Sequence, residues 1–323
     1  MRKWVYIALT TLLLAAGIIV CAVRWQAWFG MPAEPVWTGD TLTRSFPTFT
    51  DDSVRGFIPT PRGWQDTIGA EQLNLLVLGD VHNRLDSADY DSIASRLPQI
   101  DAVVQLGDWI DRGYFYYYQL LLREYSRTPL NTRPVLCCPG NHEYTKGLTR
   151  HLAEDWQAWF AQPEDTTLQV PGVNYYVDFP CLRFIVIDSN PLDRLVWLTR
   201  TLTWLRQAMN TADGRFVVVM MHHPVIPAGK GRFCPLIYST FRYALGQADL
   251  VFTGHDHSYM RRMPFVETYA AGKPKPQRTD IRCNFAAEEQ VYSLLTVEPS
   301  VLTLRTYRLE DGVLIDSVYV KHD

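Results

Sequence analysis

From residue 73 onward the chain is a series of short apolar runs, each closed by glycine or by polar side chains. Leu73-Asn74-Leu75-Leu76-Val77-Leu78 reads as a buried strand that stops at Gly79-Asp80. A polar, helix-compatible stretch follows, and residues 101–106 repeat the pattern up to Gly107-Asp108. Residues 114–125 read as a helix, and 134–138 as a third strand ended by Gly140-Asn141-His142. Strand, motif and helix in succession predict βαβ units. Further on, 174–179 and 182–188 read as paired strands, 196–209 as a helix, and 216–221 as a strand delivering His222-His223. Residues 248–252 deliver Gly254-His255-Asp256-His257. Runs at 291–297, 301–309 and 313–320 alternate like antiparallel strands, with Asp311-Gly312 as a turn. Residues 264–290 read as a long polar loop. The expected architecture is α/β, two packed sheets with helices outside.

Ahead of this lies a different kind of segment. Trp4 to Val23 is a run of 20 residues without a charge, preceded by Arg2-Lys3 and followed by Arg24, Trp25 and Trp28. A helix of that length spans about 30 Å, the thickness of a bilayer's hydrocarbon core. Residues 1–30 are therefore expected to form an N-terminal transmembrane helix, with 31–72 a linker and 73–323 the folded domain. A cleaved signal peptide and a lipoprotein modified at Cys21 are the alternatives. The positive charges before the span predict a single-pass membrane protein with its folded domain outside the cytoplasm, periplasmic or at the cell surface.

Composition changes little. The 323 residues are 47% hydrophobic and 20% charged, the balance of a globular protein. With 31 basic and 34 acidic side chains, no nucleic-acid partner is indicated. Of six cysteines, Cys21 lies in the apolar run, leaving Cys137, Cys138, Cys181, Cys234 and Cys283; the odd number leaves at least one unpaired within the chain.

The chemistry sits at the strand ends. Gly79-Asp80-Val81-His82, Gly107-Asp108 with Asp111-Arg112-Gly113, Gly140-Asn141-His142-Glu143, His222, and Gly254-His255-Asp256-His257 supply carboxylates, imidazoles and an amide. Hard and borderline divalent metals take this donor mixture. In this order the segments resemble the motifs of calcineurin-like metallophosphoesterases, over roughly residues 73–260. The resemblance implies a four-layer α/β/β/α sandwich with two divalent metal ions, manganese, iron or zinc. It assigns Asp80, His82 and His257 to one metal, Asn141, His222 and His255 to the second, and Asp108 as the bridge. His222 takes the ligand place, and His223 that of a substrate contact or a supporting group.

The implied function is hydrolysis of a phosphomonoester or phosphodiester by a metal-bridging hydroxide. His142 stands near the leaving oxygen. Asp111 is placed to accept a hydrogen bond from that imidazole, and Arg112 to clamp a phosphate oxygen. The Asp108-to-Gly113 block with Asn141-His142-Glu143 looks like the serine/threonine phosphatase branch, and Gly254-to-Arg261 like the purple acid phosphatase branch. Asn83 replaces the glycine usual in the first, and Asp111 the metal-binding tyrosine of the second. A catalytically silent metal-bound scaffold that recognises phosphorylated partners is the alternative function. Glu143 and Asp188 are read as supporting residues. The aromatics from Tyr114 to Tyr118, and Trp156, Trp159 and Phe160, are read chiefly as packing surface. The Lys273-to-Arg278 cluster is read as a solvated loop.

Overall fold

The structure is a computed structural model describing residues 72–144, 156, 174–226, 235–272 and 283–322. The expected membrane span and linker lie outside the described residues, as do Trp159, Phe160, Cys234 and the basic cluster at 273–278. Among the described residues no helix is long and apolar enough to cross a membrane.

The first elements are β1 (Leu73–Leu78), α1 (Ser87–Arg96), β2 (Ala102–Gln105), α2 (Phe115–Tyr125) and β3 (Val135–Cys137). Then come β4 (Tyr175–Asp178), β5 (Leu182–Ile187), α3 (Leu195–Asn210), β6 (Phe216–Met221), α4 (Pro235–Leu245) and β7 (Leu250–Thr253). The chain closes with β8 (Tyr259–Arg262), β9 (Phe265–Glu267), β10 (Phe285–Ala287), β11 (Val291–Val297), β12 (Val301–Arg308) and β13 (Leu314–Lys321).

Two sheets result. The first has the order β13-β12-β11-β1-β2-β3, parallel from β1 to β3 and antiparallel beyond β1. The second has the order β10-β8-β9-β7-β6-β5-β4, with β5, β6, β7 and β9 parallel. Side-chain alternation divides the second sheet between two cores. Phe184, Val186, Val218, Met220, Leu250 and Phe252 join a core with the first sheet, α1 and α2. Ile185, Ile187, Val219, Met221 and Val251 face the other way, against Leu198, Leu202 and Leu205 of α3 and Phe241 of α4. Each such side chain contributes about 1.5–3 kcal/mol of burial.

Local chemistry explains the element ends. Asp86 caps α1 in a capping box, accepting from Asp89 N while Asp89 accepts from Asp86 N, both at 3.0 Å. The turn expected at Asp311-Gly312 is present, with Gly312 in the left-handed region (φ 74°). Residues 264–290, expected to be one loop, instead hold β9 and β10. Three residues each are too few to display a period of two. Helix α4 carried no clear signal either, because its aromatic, Ser and Thr positions are weak helix formers.

Candidate metal centre

The parallel strands aim their carboxyl ends at one rim, where ligands collect in such sheets. The chain leaves each strand through a sharp turn whose polar residue takes a left-handed backbone. Asp80 (φ 45°), His82 (51°), Asp108 (52°), His255 (78°) and His257 (50°) all do so. A non-glycine residue there costs on the order of 1–3 kcal/mol. Main-chain hydrogen bonds across the turns hold it. His82 N donates to Asp108 O (2.9 Å), Asn83 N to Trp109 O (3.0 Å) and Gly254 N to His222 O (2.9 Å). His255 N donates to Asp80 Oδ2 (2.7 Å), tying the two sheets together at the site.

Asp108 occupies the centre. Its Oδ1 accepts from His142 N (2.8 Å). Its Oδ2 lies 3.3 Å from His222 Nε2, 3.7 Å from His82 Nε2 and 3.9 Å from His142 Nε2. His222 donates Nδ1–H to Leu106 O (2.9 Å), which turns Nε2 inward, 3.3 Å from Asn141 Oδ1. On the other side Asp80 Oδ1 lies 3.4 Å from His257 Nε2 and 3.8 Å from His82 Nε2, and those two nitrogens are 3.1 Å apart. The His255 ring is 5.2 Å from that of His222 and 4.5 Å from that of His223. Six of the seven expected ligands thus lie within 4 Å of another of them, and His255 stands beside His222 and His223.

Supporting contacts were less visible in sequence. Glu143, fully buried, accepts from Asp108 N, Trp109 N, Ile110 N and Gly140 N at 2.8, 2.8, 3.3 and 2.6 Å. Asn190 Nδ2 donates to Pro139 O and Gly140 O at 3.1 and 3.2 Å, gripping the same loop from the second sheet. Ser189 Oγ meets His223 Nδ1 at 2.8 Å. Close approach is also demanded at Gly140, where a Cβ would lie 2.2 Å from Asp108 Oδ1. Sequence already gives Glu143 a supporting role, whereas Ser189 and Asn190 carry no signal beyond standing just past a strand end.

The remaining expected residues are placed as follows. His142 Nδ1 donates to the main-chain carbonyl of Asp111, not to its carboxylate. That carboxylate points to His82 Nδ1 (3.8 Å) because the turn is fixed by Asp111 N donating to Asn83 Oδ1 (2.8 Å). Arg112 is more than half exposed, with Nε 3.7 Å from Asp111 Oδ2, on the outside of the rim. Of the aromatics that follow, Tyr118 is buried while Tyr114 and Tyr116 are exposed. Trp156 is buried. Among the described residues, Cys137, Cys138, Cys181 and Cys283 form no disulfide.

Protein charges alone make this a demanding place. Burial would raise the Asp108 carboxyl, but the imidazoles of His222, His142 and His82 outweigh it and hold it well below the usual carboxylate range. Asp80 is likewise lowered, with burial opposed by His257 and His222. Burial pushes His82 down to about 4. His222 rises to about 9, its burial outweighed by Asp108. Burial and the nearby Asp108 push Glu143 up to about 7.

The donor set fits divalent cations. Asp80 Oδ1 is buried without a hydrogen-bond partner while aimed at two imidazoles, an arrangement that costs free energy unless a cation meets it. Within Asp80-His82-His257, and again within Asp80-Asp108-His222, the donor atoms lie within 4.8 Å of one another.

Comparison with known proteins agrees with this chemistry. A family profile described as calcineurin-like phosphoesterase matches residues 73–259. A glycerophosphodiester phosphodiesterase GpdQ of Enterobacter lignolyticus is 28% identical over 175 residues, 49% of this chain and 56% of that protein. A probable enzyme of the same name from Arcobacter nitrofigilis is 28% identical over 134 residues, 41% of this chain and 45% of that protein. The chain thus spans about half the length of these curated relatives. In fold it is similar to purple acid phosphatase PPD1 of yellow lupin (TM-score 0.64, 17% identity, covering 79% of this chain and 55% of that one). The GAP50 anchor of the Plasmodium inner membrane complex is also similar (TM-score 0.58, 14% identity, covering 78% and 90%). With more than half its length matched, this chain belongs to the calcineurin-like phosphoesterase family.

Proposed function

We propose that this chain hydrolyses phosphodiester bonds with two divalent cations. Asp80, His82 and His257 would hold one, Asn141, His222 and His255 the other, with Asp108 shared. The observation that carries the reading is Asp108 Oδ2 facing imidazoles of both sets while its Oδ1 is committed to His142 N. Cations bound there supply Lewis acidity toward phosphoryl oxygens and acidify water. The protein's own groups do the rest. His142, with Nδ1–H given to the Asp111 carbonyl, is left with Nε2 toward the site, the nitrogen that can pass a proton to a leaving oxygen. Arg112, exposed at the rim, would meet an incoming anion. The diester preference rests on the names of the curated relatives. The four-layer arrangement and the membrane anchor at residues 4–23, with the catalytic domain outside the cytoplasm, belong to the same proposal.

The test uses detergent-solubilised full chain, stripped of metal and reloaded separately with manganese, zinc or iron. Metal-dependent turnover of bis-p-nitrophenyl phosphate above that of p-nitrophenyl phosphate is expected. A preference for the monoester overturns the diester reading. Two bound ions with no turnover of either ester favours the silent scaffold.

A further inference from the structure

The loops carrying Asp108 and Asn141-His142 belong to neighbouring strand ends and approach each other backbone to backbone. A Cβ on Gly107 would lie 2.5 Å from Gly140 N, and one on Gly140 would lie 2.4 Å from Asp108 N. The two loops therefore approach so closely that neither glycine position has room for a side chain. Into that convergence comes one carboxylate. Glu143 Oε2 accepts from Asp108 N on one loop and from Gly140 N on the other, at 2.8 and 2.6 Å. Its Oε1 accepts from Trp109 N and Ile110 N, at 2.8 and 3.3 Å. No part of the residue reaches solvent.

We infer that Glu143 is a positioning residue that sets the distance between the shared carboxylate of Asp108 and the second-cation residue Asn141. The inference rests on the two-cation reading above. Two peptide N–H groups meet each oxygen, so the side chain must offer an acceptor at both positions, as Glu143 does. A glutamine presents one oxygen and one NH₂, so one pair of peptide N–H groups would face another donor. The loops then part, and Asp108, already held in a left-handed backbone, loses the N–H anchor that offsets its cost. Supports of this kind are worth roughly 10–100-fold in metal affinity. His142 hangs on the same assembly through its N–H to Asp108 Oδ1.

Glu143→Gln is the decisive variant, read by metal content and by chelator competition on the full chain loaded with zinc. Asp178→Asn is the control, because Asp178 pairs with buried Arg183 near the start of β5, the end of that strand away from the rim. The expected result is that Glu143→Gln keeps one ion at wild-type affinity and binds the second about 10–100-fold more weakly, with kcat lowered more than KM is raised. The control should lose thermal stability while holding both ions. Two ions held by Glu143→Gln at wild-type competition overturn the positioning role. Equal metal loss in the control also overturns it, since a general loosening would then suffice. If wild-type protein takes up no ion, the functional reading itself fails, and the variant is not needed to show it. Should Glu143→Gln fail to fold, Glu143→Asp retains charge but shortens the reach, and wild-type metal affinity in that folded variant sinks the inference equally.

Discussion

Two kinds of buried carboxylate coexist in this molecule. Asp316, on β13, is closed off by protein: Arg261 donates Nε–H and Nη2–H at 2.6 and 2.9 Å, Tyr259 its hydroxyl at 2.9 Å, and Ser317 its N–H at 2.9 Å. Asp80 and Asp108 sit deeper, yet they face imidazole nitrogens at 3.3–3.8 Å, and Asp80 Oδ1 has no hydrogen-bond partner. The first arrangement satisfies its charge with an arginine fork; the second meets its charge with imidazoles, a donor set that fits divalent cations.

That contrast is broken most severely at its centre. Asp108→Asn should lower metal-dependent turnover by about three orders of magnitude or more, comparable to removing a main electrostatic stabiliser, and release at least one ion. Turnover near wild type with both ions retained would dissolve the distinction. His142→Ala should reduce kcat by roughly 10²–10⁴-fold while metal content stays at two, separating proton handling from metal holding. Asp316→Ala should act the other way round. Leaving the half-buried Arg261 guanidinium without its partner costs about 1–3 kcal/mol, visible as a lowered Tm, with metal affinity unchanged.

The smallest effect sharpens the comparison through pH. Burial would raise the Asp316 carboxyl, but Arg261 and Tyr259 outweigh it and hold it low. A depressed folded-state pKa means the stabilisation is complete above the unfolded value of about 3.8. It is lost as pH falls through the folded value. Acid unfolding of Asp316→Asn should therefore depend less on pH below about 4 than that of wild type; curves of equal steepness would count against the pairing.

Much of this was legible in the amino-acid sequence where one short pattern carried one consequence. The apolar run 73–78 followed by Gly-Asp placed β1 and the turn after it, and the same logic held at 107–108, 140–141 and 254–257. Long-range and backbone effects were not legible. That Asp80 and His82 would take left-handed backbones cannot be read from residue types that seldom adopt them. The acceptor for His142 is a carbonyl, which every residue has, so sequence pointed to the Asp111 side chain instead. Asn190 reaches a loop roughly 50 residues earlier, and nothing local announces it. Strands β9 and β10 are too short to show a pattern, so they merged with the segment between them.

The central place of β1 in the first sheet has a consequence for biosynthesis. Its register partners lie on β2, close by, and on β11, where Leu76 faces Leu294, roughly 220 residues later. At about 5–20 residues per second, translation leaves one edge of a mostly apolar strand without its neighbour for some 10–40 s. A bare edge of that kind templates aggregation. Lowering the capacity of holding chaperones should therefore reduce the yield of this protein before it reduces that of one whose sheets close in order.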